Sequence, residues 1–397
     1  MMSILIESFL TGLILASIAY YLVCIGAALR FFTQPHGRPT EQCPPASILV
    51  PLCGADFEAY ENYTRLCRLD YPAYEIVFGV QDAQDSSVPV VRRLMEEYPW
   101  AAIQLVVGEE VIGENPKVNN LHNILEYAKY EHIVILDSDV RVEADFLRRV
   151  VVPLSDERVG LVTCFYRAGR AEDLPSRLEA IGITAEFAPG VLVAHLIEGM
   201  TFSLGAVMAT RRESLKSIGG LQAIADYLCD DYMLGNLLWK AGYEVKLVPY
   251  VVETLQPHAG FMTMLKHQVR WGRGIRACRP FGYLGSVVTH GTAVALIHAI
   301  VAGGSLWSLF LFAATGGVQL AMGWIVAVRC LGDRNLSSGI WLVAVRDLLG
   351  FLVWCAAVVG RKVEWRGKTY RLLENGKIVP IAGRHAGASD RTVASQT

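Results

Sequence analysis

The sequence predicts an α/β domain, with helices on both faces of a mainly parallel β-sheet, set between hydrophobic membrane segments. Apolar runs rich in β-branched residues alternate with amphipathic stretches from about residue 46 to residue 257, and this alternation is typical of a parallel sheet. Only 19% of the 397 residues are charged, and the surplus of apolar residues lies at the two ends. Carboxylates directly follow several apolar runs, which is where such sheets bind ligands.

The first element is an apolar segment from Ile4 to Phe32, in which Glu7 and Arg30 are the charged residues. It exceeds the roughly 20 residues that cross a bilayer. It lacks the basic start and small-residue cleavage site of a signal peptide, so residues 1–33 are expected to form a retained transmembrane anchor. Arg30 and Arg38 follow its apolar core, and positive residues mark the cytoplasmic side.

The central domain is expected to span residues 40–260, with strands and helices in alternation. The predicted strands are Ala46–Leu52, Glu75–Val80, Ile103–Val107, His132–Leu136, Gly160–Phe165, Ser203–Ala209 and Glu244–Pro249. The predicted helices are Asp56–Leu69, Val88–Tyr98, Lys117–Tyr130, Ala144–Val152, Arg212–Ile218 and Tyr232–Ala241.

The carboxyl-terminal part combines a basic segment with apolar ones. Residues 261–283 are expected to form an amphipathic interfacial helix, because basic residues recur there every three to four positions. Residues 284–360 hold three apolar segments, transmembrane or re-entrant. Basic residues flank this block on both sides, which requires an even number of spans, so one of the three segments is expected to be interfacial or re-entrant. Residues 361–397 are expected to be a basic and then disordered cytoplasmic tail.

Charge and cysteine content exclude several classes of protein. The net charge is −2 and no domain is basic, which argues against a nucleic-acid partner. None of the nine cysteines forms a CxxC pair, as expected for free thiols in a reducing compartment. His290 and His298, in the apolar end, are expected to pack or to form hydrogen bonds between helices, and His195 has no assigned role.

Three carboxylates follow apolar strands. Asp82 ends one such run, and Asp137 and Asp139 form a D-x-D pair after another. Both side chains of a D-x-D pair can reach one divalent cation, and hard cations such as Mg²⁺ and Mn²⁺ prefer oxygen ligands. A single Asp at such a position often serves as a turn or helix cap instead.

Two further motifs open helices. Lys117, in Asn-Pro-Lys-Val-Asn-Asn, adds positive charge to a helix start that already attracts anions, which suits a nucleotide phosphate. Asp230 and Asp231 begin the last helix of the domain. A carboxylate held there is a candidate general base, and the alternative is a helix cap in a favourable dipole.

The sequence His267-Gln268-Val269-Arg270-Trp271 lies where the domain meets the apolar end. Its helix can rest on an anionic membrane surface. Alternatively, Arg270 can face a diphosphate and Trp271 a sugar or acceptor. Both interpretations can be true together, because one face of the helix can contact the lipid surface while one residue turns toward the site.

With these motifs in this order and spacing, the chain resembles the family 2/21-like membrane glycosyltransferases, and most closely the ceramide glucosyltransferases. The resemblance covers about residues 45–291 and the hydrophobic ends. It implies a GT-A fold, a UDP-sugar donor and inversion at the anomeric carbon. Similar bacterial enzymes are associated with hopanoid synthesis.

The resemblance also implies roles for single residues. Asp82 would contact the uridine, Asp137 and Asp139 the diphosphate and a Mg²⁺ or Mn²⁺ ion, and Asp231 would be the base. Lys117, Arg270 and Trp271 would complete the donor and acceptor site, with Asp230, His267 and Gln268 as secondary candidates. The family has Gln or Arg where this chain has His267. The animal relatives lack the second Asp of the D-x-D pair, whereas this chain has Asp139, and its presence strengthens the metal assignment.

These observations favour an integral-membrane enzyme that moves glucose from UDP-glucose to the primary hydroxyl of ceramide at the cytoplasmic face, in a bacterial inner membrane or a Golgi-type membrane. One alternative is transfer of N-acetylglucosamine from UDP-N-acetylglucosamine to a hopanoid or other polyol lipid. Others are a non-catalytic UDP-sugar-binding membrane protein and a processive polysaccharide synthase, although the short apolar end argues against a polymer channel.

Overall fold

The computed structural model describes residues 2–34, 43–255 and 260–381. Its central element is an eight-stranded sheet with the order β3-β2-β1-β4-β7-β6-β8-β5. The strands are β1 (Ala46–Pro51), β2 (Tyr74–Val80), β3 (Ile103–Val107), β4 (His132–Leu136), β5 (Val140–Arg141), β6 (Val159–Ala168), β7 (Val207–Arg211) and β8 (Glu244–Thr254).

The half of the sheet from β3 to β4 is parallel, as predicted. Strand β7 runs antiparallel between β4 and β6, strand β6 is parallel to β8, and β5 pairs antiparallel with the end of β8. The carboxyl ends of β1, β2 and β4 therefore meet at one edge. Their residues are almost fully buried on both faces, which explains their continuous apolar runs.

Helices cover both faces of this sheet, and two of them, α6 and α7 within residues 174–198, were not predicted. The helices are α1 (Met2–Thr33), α2 (Ala59–Leu66), α3 (Val88–Glu97), α4 (Pro116–Leu125), α5 (Phe146–Val151), α6 (Leu174–Gly182), α7 (Ala188–Glu198), α8 (Arg212–Ser217) and α9 (Asp230–Lys240). A π-helical turn joins α6 to α7, so that residues 174–198 are helical throughout. This stretch is predominantly apolar, apolar enough to cross a membrane, and so lacks the broad polar face by which a surface helix is recognised.

The predicted strand Ser203–Ala209 is wrong at its start, since β7 begins at Val207. The preceding residues bond to other elements instead of to a strand. The Ser203 hydroxyl donates to the backbone oxygen of Asp231 at 2.6 Å, and the Leu204 N–H donates to Thr163 Oγ1 at 3.1 Å. Residues 203–206 thereby line the start of α9.

The carboxyl-terminal region packs helices against α1 and α6. They are α10 (Phe261–Cys278), α11 (Pro280–Gly285), α12 (Gly291–Val301), α13 (Leu306–Gly323), α14 (Arg334–Ser337) and α15 (Leu342–Val358). His298 contacts the Thr11 hydroxyl of α1 at 3.3 Å, and His290 contacts Asp347 of α15 at 3.3 Å. The interhelical roles expected for both histidines are thus confirmed.

Three helical stretches among the described residues are long and apolar enough to cross a membrane: Ile4–Thr33, Leu174–Glu198 and Leu306–Cys330. A fourth candidate is the pair Pro280–Thr289 and Gly291–Val301, which is bent by 64° at its break. A bent pair of this kind can be a broken span or a re-entrant loop. Helix α15 is only 17 residues long and buries Arg346 and Asp347 against neighbouring helices.

Residues 362–380, expected to belong to a basic and then disordered tail, form a three-stranded antiparallel sheet. Its strands are β9 (Lys362–Trp365), β10 (Lys368–Leu372) and β11 (Ile378–Pro380). Its apolar face packs against Leu228 and Cys229, which precede α9. This sheet was not predicted, because it depends on contacts with a segment far away in sequence. The disorder expected beyond it falls on residues 382–397, outside the described residues.

Candidate active site

Three asparagines of the Asn-Pro-Lys-Val-Asn-Asn motif connect α4 to the edge of the sheet. The Asn115 side chain caps the helix by accepting from the N–H groups of Lys117 and Val118. Asn119 bonds the preceding loop through Gly113. Asn120 donates to the backbone oxygens of Leu52 and Gly79 at 3.0 and 2.8 Å, at the ends of β1 and β2. The motif thereby fixes the start of α4 at the carboxyl edge.

Lys117 lies between two carboxylates that are distant in sequence. Its ammonium group pairs with Asp137, after β4, and lies 3.8 Å from Asp230, at the start of α9. Burial opposes its charge, but Asp137 and Asp230 outweigh burial and hold the pKa of Lys117 above its usual value. Asn115 Nδ2 also donates to Asp230 at 3.3 Å. The positive charge expected to meet a phosphate thus faces carboxylates in this structure.

Asp231 is half-buried beside this cluster, whereas Asp230 is only 6% exposed. The Asp231 carboxylate accepts the N–H of Tyr232 at 2.7 Å. A Cβ at position 205 would lie 2.8 Å from Asp231 Oδ2, so any side chain there would have to displace that carboxylate. Burial and then the charge of Asp230 raise the pKa of Asp231 to about 6, although Lys117 opposes them. A carboxylate with a pKa near neutrality is suited to accept a proton.

Asp139, the second carboxylate of the D-x-D pair, has a raised pKa. Burial, Asp137 and then Asp56 raise the pKa of Asp139 to about 7. One oxygen of Asp56 is itself buried without a hydrogen-bond partner. Sequence analysis missed Asp56, because it lies in the loop after β1 and not directly at the strand end.

The residues present fit a divalent cation such as Mg²⁺ or Mn²⁺. In the described part of the chain, no three His, Cys, Asp or Glu side chains form a complete metal cage. Catalytic Mg²⁺, however, is usually held by one or two carboxylates together with substrate phosphates. Asp139 offers such a carboxylate, with Asp137 beside it, and the negative charge collected there would be offset by the ion.

Asp82 lies away from this cluster. It is exposed, and its carboxylate accepts the N–H of Gln84 at 2.8 Å, as in an Asx turn. The neighbouring Asp85, which sequence analysis did not select, accepts the N–H of Gly54 at 2.9 Å and so joins the loops after β1 and β2. A uridine contact by Asp82 therefore stays a prediction.

Two secondary candidates on α10 form a buried polar network. His267 Nδ1 lies 2.7 Å from Glu179 of α6, and the Gln268 amide lies 3.5 Å from the same carboxylate. The Gln268 oxygen accepts from Arg346 of α15 at 2.9 Å. These contacts connect α10 to α6 and α15, so both side chains serve the helix packing.

The basic residues of α10 and its carboxyl end also have protein partners. Arg273 and Arg276 donate to the backbone oxygens that end α15, at Val359 and Gly360 among others. The remaining ion pairs are Lys266 with Glu364 at 3.0 Å and Arg279 with Glu198 at 2.5 Å. Arg270 differs, since its guanidinium carbon lies 5.9 Å from the ring centre of Trp365.

Trp271 belongs to an aromatic surface near Asp231. It packs with Tyr166 against Ala180 and Ile183 of the helical stretch 174–198. Burial and the charges of Asp231 and the D-x-D pair raise the pKa of Tyr166, which places its hydroxyl near these carboxylates. Tyr166 was missed because it lies within a strand and carries no motif.

Comparison with known proteins places the chain in a family. The chain is 25% identical over 388 residues to ceramide glucosyltransferase 1 of Caenorhabditis elegans, covering 93% of this chain and 80% of the relative. It is 23% identical over 358 residues to ceramide glucosyltransferase 3 of the same organism, covering 85% and 74%. The mannosyltransferase PcManGT from Pyrobaculum calidifontis superposes with a TM-score of 0.55 at 21% identity, covering 89% of this chain and 97% of that one.

The expected GT-A fold is thereby confirmed. Residues 9–378 match glycosyl transferase family 21, a range that includes α1 and most of the carboxyl-terminal sheet. The chain is a member of glycosyl transferase family 21.

Proposed function

We propose that this glycosyltransferase moves glucose from UDP-glucose to the primary hydroxyl of ceramide, with inversion, at the cytoplasmic face of a membrane. The observation that carries the proposal is Asp231, a half-buried carboxylate with a pKa raised to about 6, held beside Lys117 and the D-x-D pair. The two similar ceramide glucosyltransferases support the choice of donor and acceptor.

Asp231 acts as the general base in this proposal. It takes the proton of the acceptor hydroxyl, whose oxygen then bonds to the anomeric carbon as the bond to UDP breaks and UDP leaves with the electron pair. Asp230 keeps Asp231 in place through its contacts with Asn115 and Lys117. A positioned general base contributes about 10²–10⁴-fold to rate.

Asp139, assisted by Asp137, would hold a Mg²⁺ or Mn²⁺ ion that offsets charge on the departing diphosphate. The mannosyltransferase PcManGT was solved with GDP-Man and Mn²⁺. Lys117 stabilises the ionised form of Asp137 and thus the acidic edge that faces the donor. Arg270 supplies positive charge from the opposite side.

A lipid acceptor fits the apolar surface beside the site. Trp271 and Tyr166 connect Asp231 to the helical stretch 174–198, which is apolar enough to cross a membrane. Ile197 near its end and Phe281 after α10 are 76% and 88% exposed. Exposed apolar side chains of this size are typical of membrane contact.

The test is a donor and acceptor panel with the purified full-length protein. UDP-glucose and UDP-N-acetylglucosamine are each offered with ceramide and with a hopanoid polyol, with and without EDTA, and products are identified by mass spectrometry. The expected product is glucosylceramide, and EDTA should abolish its formation. Transfer of N-acetylglucosamine to the hopanoid would instead support the alternative acceptor, and UDP binding without sugar consumption would exclude catalysis. EDTA-insensitive transfer would remove the metal role of Asp139.

Asp231→Asn in the same assay tests the base. The expected result is a fall in kcat of about 10²–10⁴-fold with UDP binding preserved, because asparagine keeps the shape but cannot take a proton. Asp156→Asn is the matched control, since Asp156 lies at the amino end of β6, on the other edge of the sheet. Near-normal turnover by folded Asp231→Asn would contradict the assignment.

A further inference from the structure

The hairpin between β9 and β10 places an arginine where the backbone does not favour one. Register pairs Trp365 with Lys368, so Arg366 and Gly367 form a two-residue turn. Both have positive φ angles, 48° and 75°. Turns of this kind favour Asn, Asp or Gly at the first position. A residue that breaks a local conformational rule is often retained for function.

Arg366 and Arg270 approach the same aromatic ring. Their guanidinium carbons lie 6.0 and 5.9 Å from the ring centre of Trp365. Burial, together with the positive charge of Arg366, lowers the pKa of Arg270. Two cations near one ring repel each other, and the arrangement becomes favourable when an anion binds between them.

The sheet that carries this hairpin is anchored to the loop that leads into Asp230 and Asp231. The Leu228 N–H donates to Gly376 at 3.2 Å, and the Ile378 N–H donates to Asp226 at 2.8 Å. The buried side chains of the sheet pack against Leu228. The hairpin is thereby held in a defined position relative to the start of α9.

The tip of the hairpin also lies within electrostatic range of the loops after β1 and β2. Asp85 joins the loops after β1 and β2 through Gly54. Its pKa lies below the usual value: burial opposes this, but hydrogen bonds from Ser87 and Gly54 and the positive charge of Arg366 outweigh it. Arg366 therefore lies within electrostatic range of the loops at the carboxyl edge of the sheet.

We infer that Arg366 binds the diphosphate of the nucleotide-sugar donor together with Arg270, and that Trp365 is a positioning residue for both. The inference rests on the proposed function, because it assumes a nucleoside diphosphate donor at this edge. Guanidinium groups suit phosphate oxygens through paired, charge-assisted hydrogen bonds. In this inference the carboxyl-terminal sheet belongs to the donor site.

Arg366→Asn separates this role from a structural one. Asparagine fits the turn better than arginine, so the melting temperature should be unchanged or higher. Loss of a charge-assisted contact should weaken UDP binding about 10- to 100-fold, while the affinity for uridine, which lacks the diphosphate, stays the same. Both affinities are measured by competition on the full-length protein. Arg371→Ala is the matched control, because Arg371 is an exposed arginine of the same hairpin on its other face.

The outcomes distinguish this inference from the proposed function. Wild-type UDP binding with the expected loss in Arg366→Asn supports the inference. Unchanged UDP affinity in Arg366→Asn, or an equal loss for UDP and uridine, overturns the inference alone. Wild-type protein that neither binds UDP nor transfers sugar from it overturns the proposed function and the inference together.

Discussion

The site contains two charged groups that are built in opposite ways. In the carboxylate cluster, Lys117 lies between Asp137 and Asp230 and neutralises part of their charge. In the arginine pair, Arg270 and Arg366 lie near one ring, that of Trp365, and repel each other. The first group has its counter-ion in direct contact, whereas we propose that the second binds the diphosphate of the donor.

The two groups differ in whether their interactions are formed before the donor binds. The carboxylate cluster connects α4, the end of β4 and the start of α9, so Asp231 is positioned without any ligand. Such preorganisation spares the enzyme reorganisation at the moment of reaction. In our inference the arginine pair gains further favourable interactions with a bound diphosphate, and it therefore favours the loaded site over the empty one.

Removing one cation from each group should change the stability of the nucleotide-free protein in different ways. Lys117 has a side chain only 14% exposed, and Lys117→Met leaves two carboxylates without their cation. The expected loss of unfolding free energy is about 3–5 kcal/mol. Arg270→Met removes a repulsion and should leave the stability of the nucleotide-free protein unchanged or higher. Chemical denaturation in detergent, without nucleotide, measures both.

A double variant checks the cause of the Lys117 effect. If uncompensated charge is responsible, Lys117→Met combined with Asp230→Asn should lose less stability than the sum of the two single changes. A Lys117→Met protein within about 0.5 kcal/mol of wild type, which is the ordinary range of surface substitutions, would remove the distinction between the two groups.

Metal binding should depend on pH through Asp139, whose pKa is raised to about 7. The cation needs the ionised carboxylate, so its apparent affinity should fall up to about tenfold for each pH unit below 7. The folded-state pKa lies above the ordinary value for Asp, so the metal-free protein should lose stability as pH rises from about 4 to 7.

Mn²⁺ titrations between pH 5.5 and 8 and thermal melts in EDTA measure these two effects. Asp139→Asn should flatten both dependences, and it should be more stable than wild type at pH 8 without metal. An unchanged pH dependence of Mn²⁺ affinity in Asp139→Asn would transfer the metal role to another carboxylate.

The carboxylate cluster was largely predictable from sequence, and the arginine pair was not. Carboxyl ends of parallel strands meet at one edge, so Asp137 and Asp139 could be placed from their strand alone. Asp231 could be selected because it lies at the start of a predicted helix. Arg366 could not be found, because its position depends on β10 and β11 packing against Leu228, more than a hundred residues earlier.

The packing contacts of α10 could not be predicted from local patterns. His267 and Gln268 contact Glu179 on a helix that was not predicted, and their part in the donor site stays a prediction. A regular spacing of basic residues on α10 indicated a single basic face. Their partners show that neighbouring arginines on one helix serve different purposes.

The smallest expected effect distinguishes these arginines. Arg276 donates to Val358 and Gly360 at the end of α15, where helix carbonyls lack partners of their own. Arg276→Ala should lower the unfolding free energy by about 1–2 kcal/mol and leave the KM for UDP-sugar unchanged. The control is Lys266→Ala, because the exposed pair of Lys266 with Glu364 should contribute less than about 1 kcal/mol. A rise in KM with unchanged stability would instead assign Arg276 to the donor together with Arg270 and Arg366. The arginine pair would then be part of a larger basic surface, whose positive charge would be directed at the donor along most of α10.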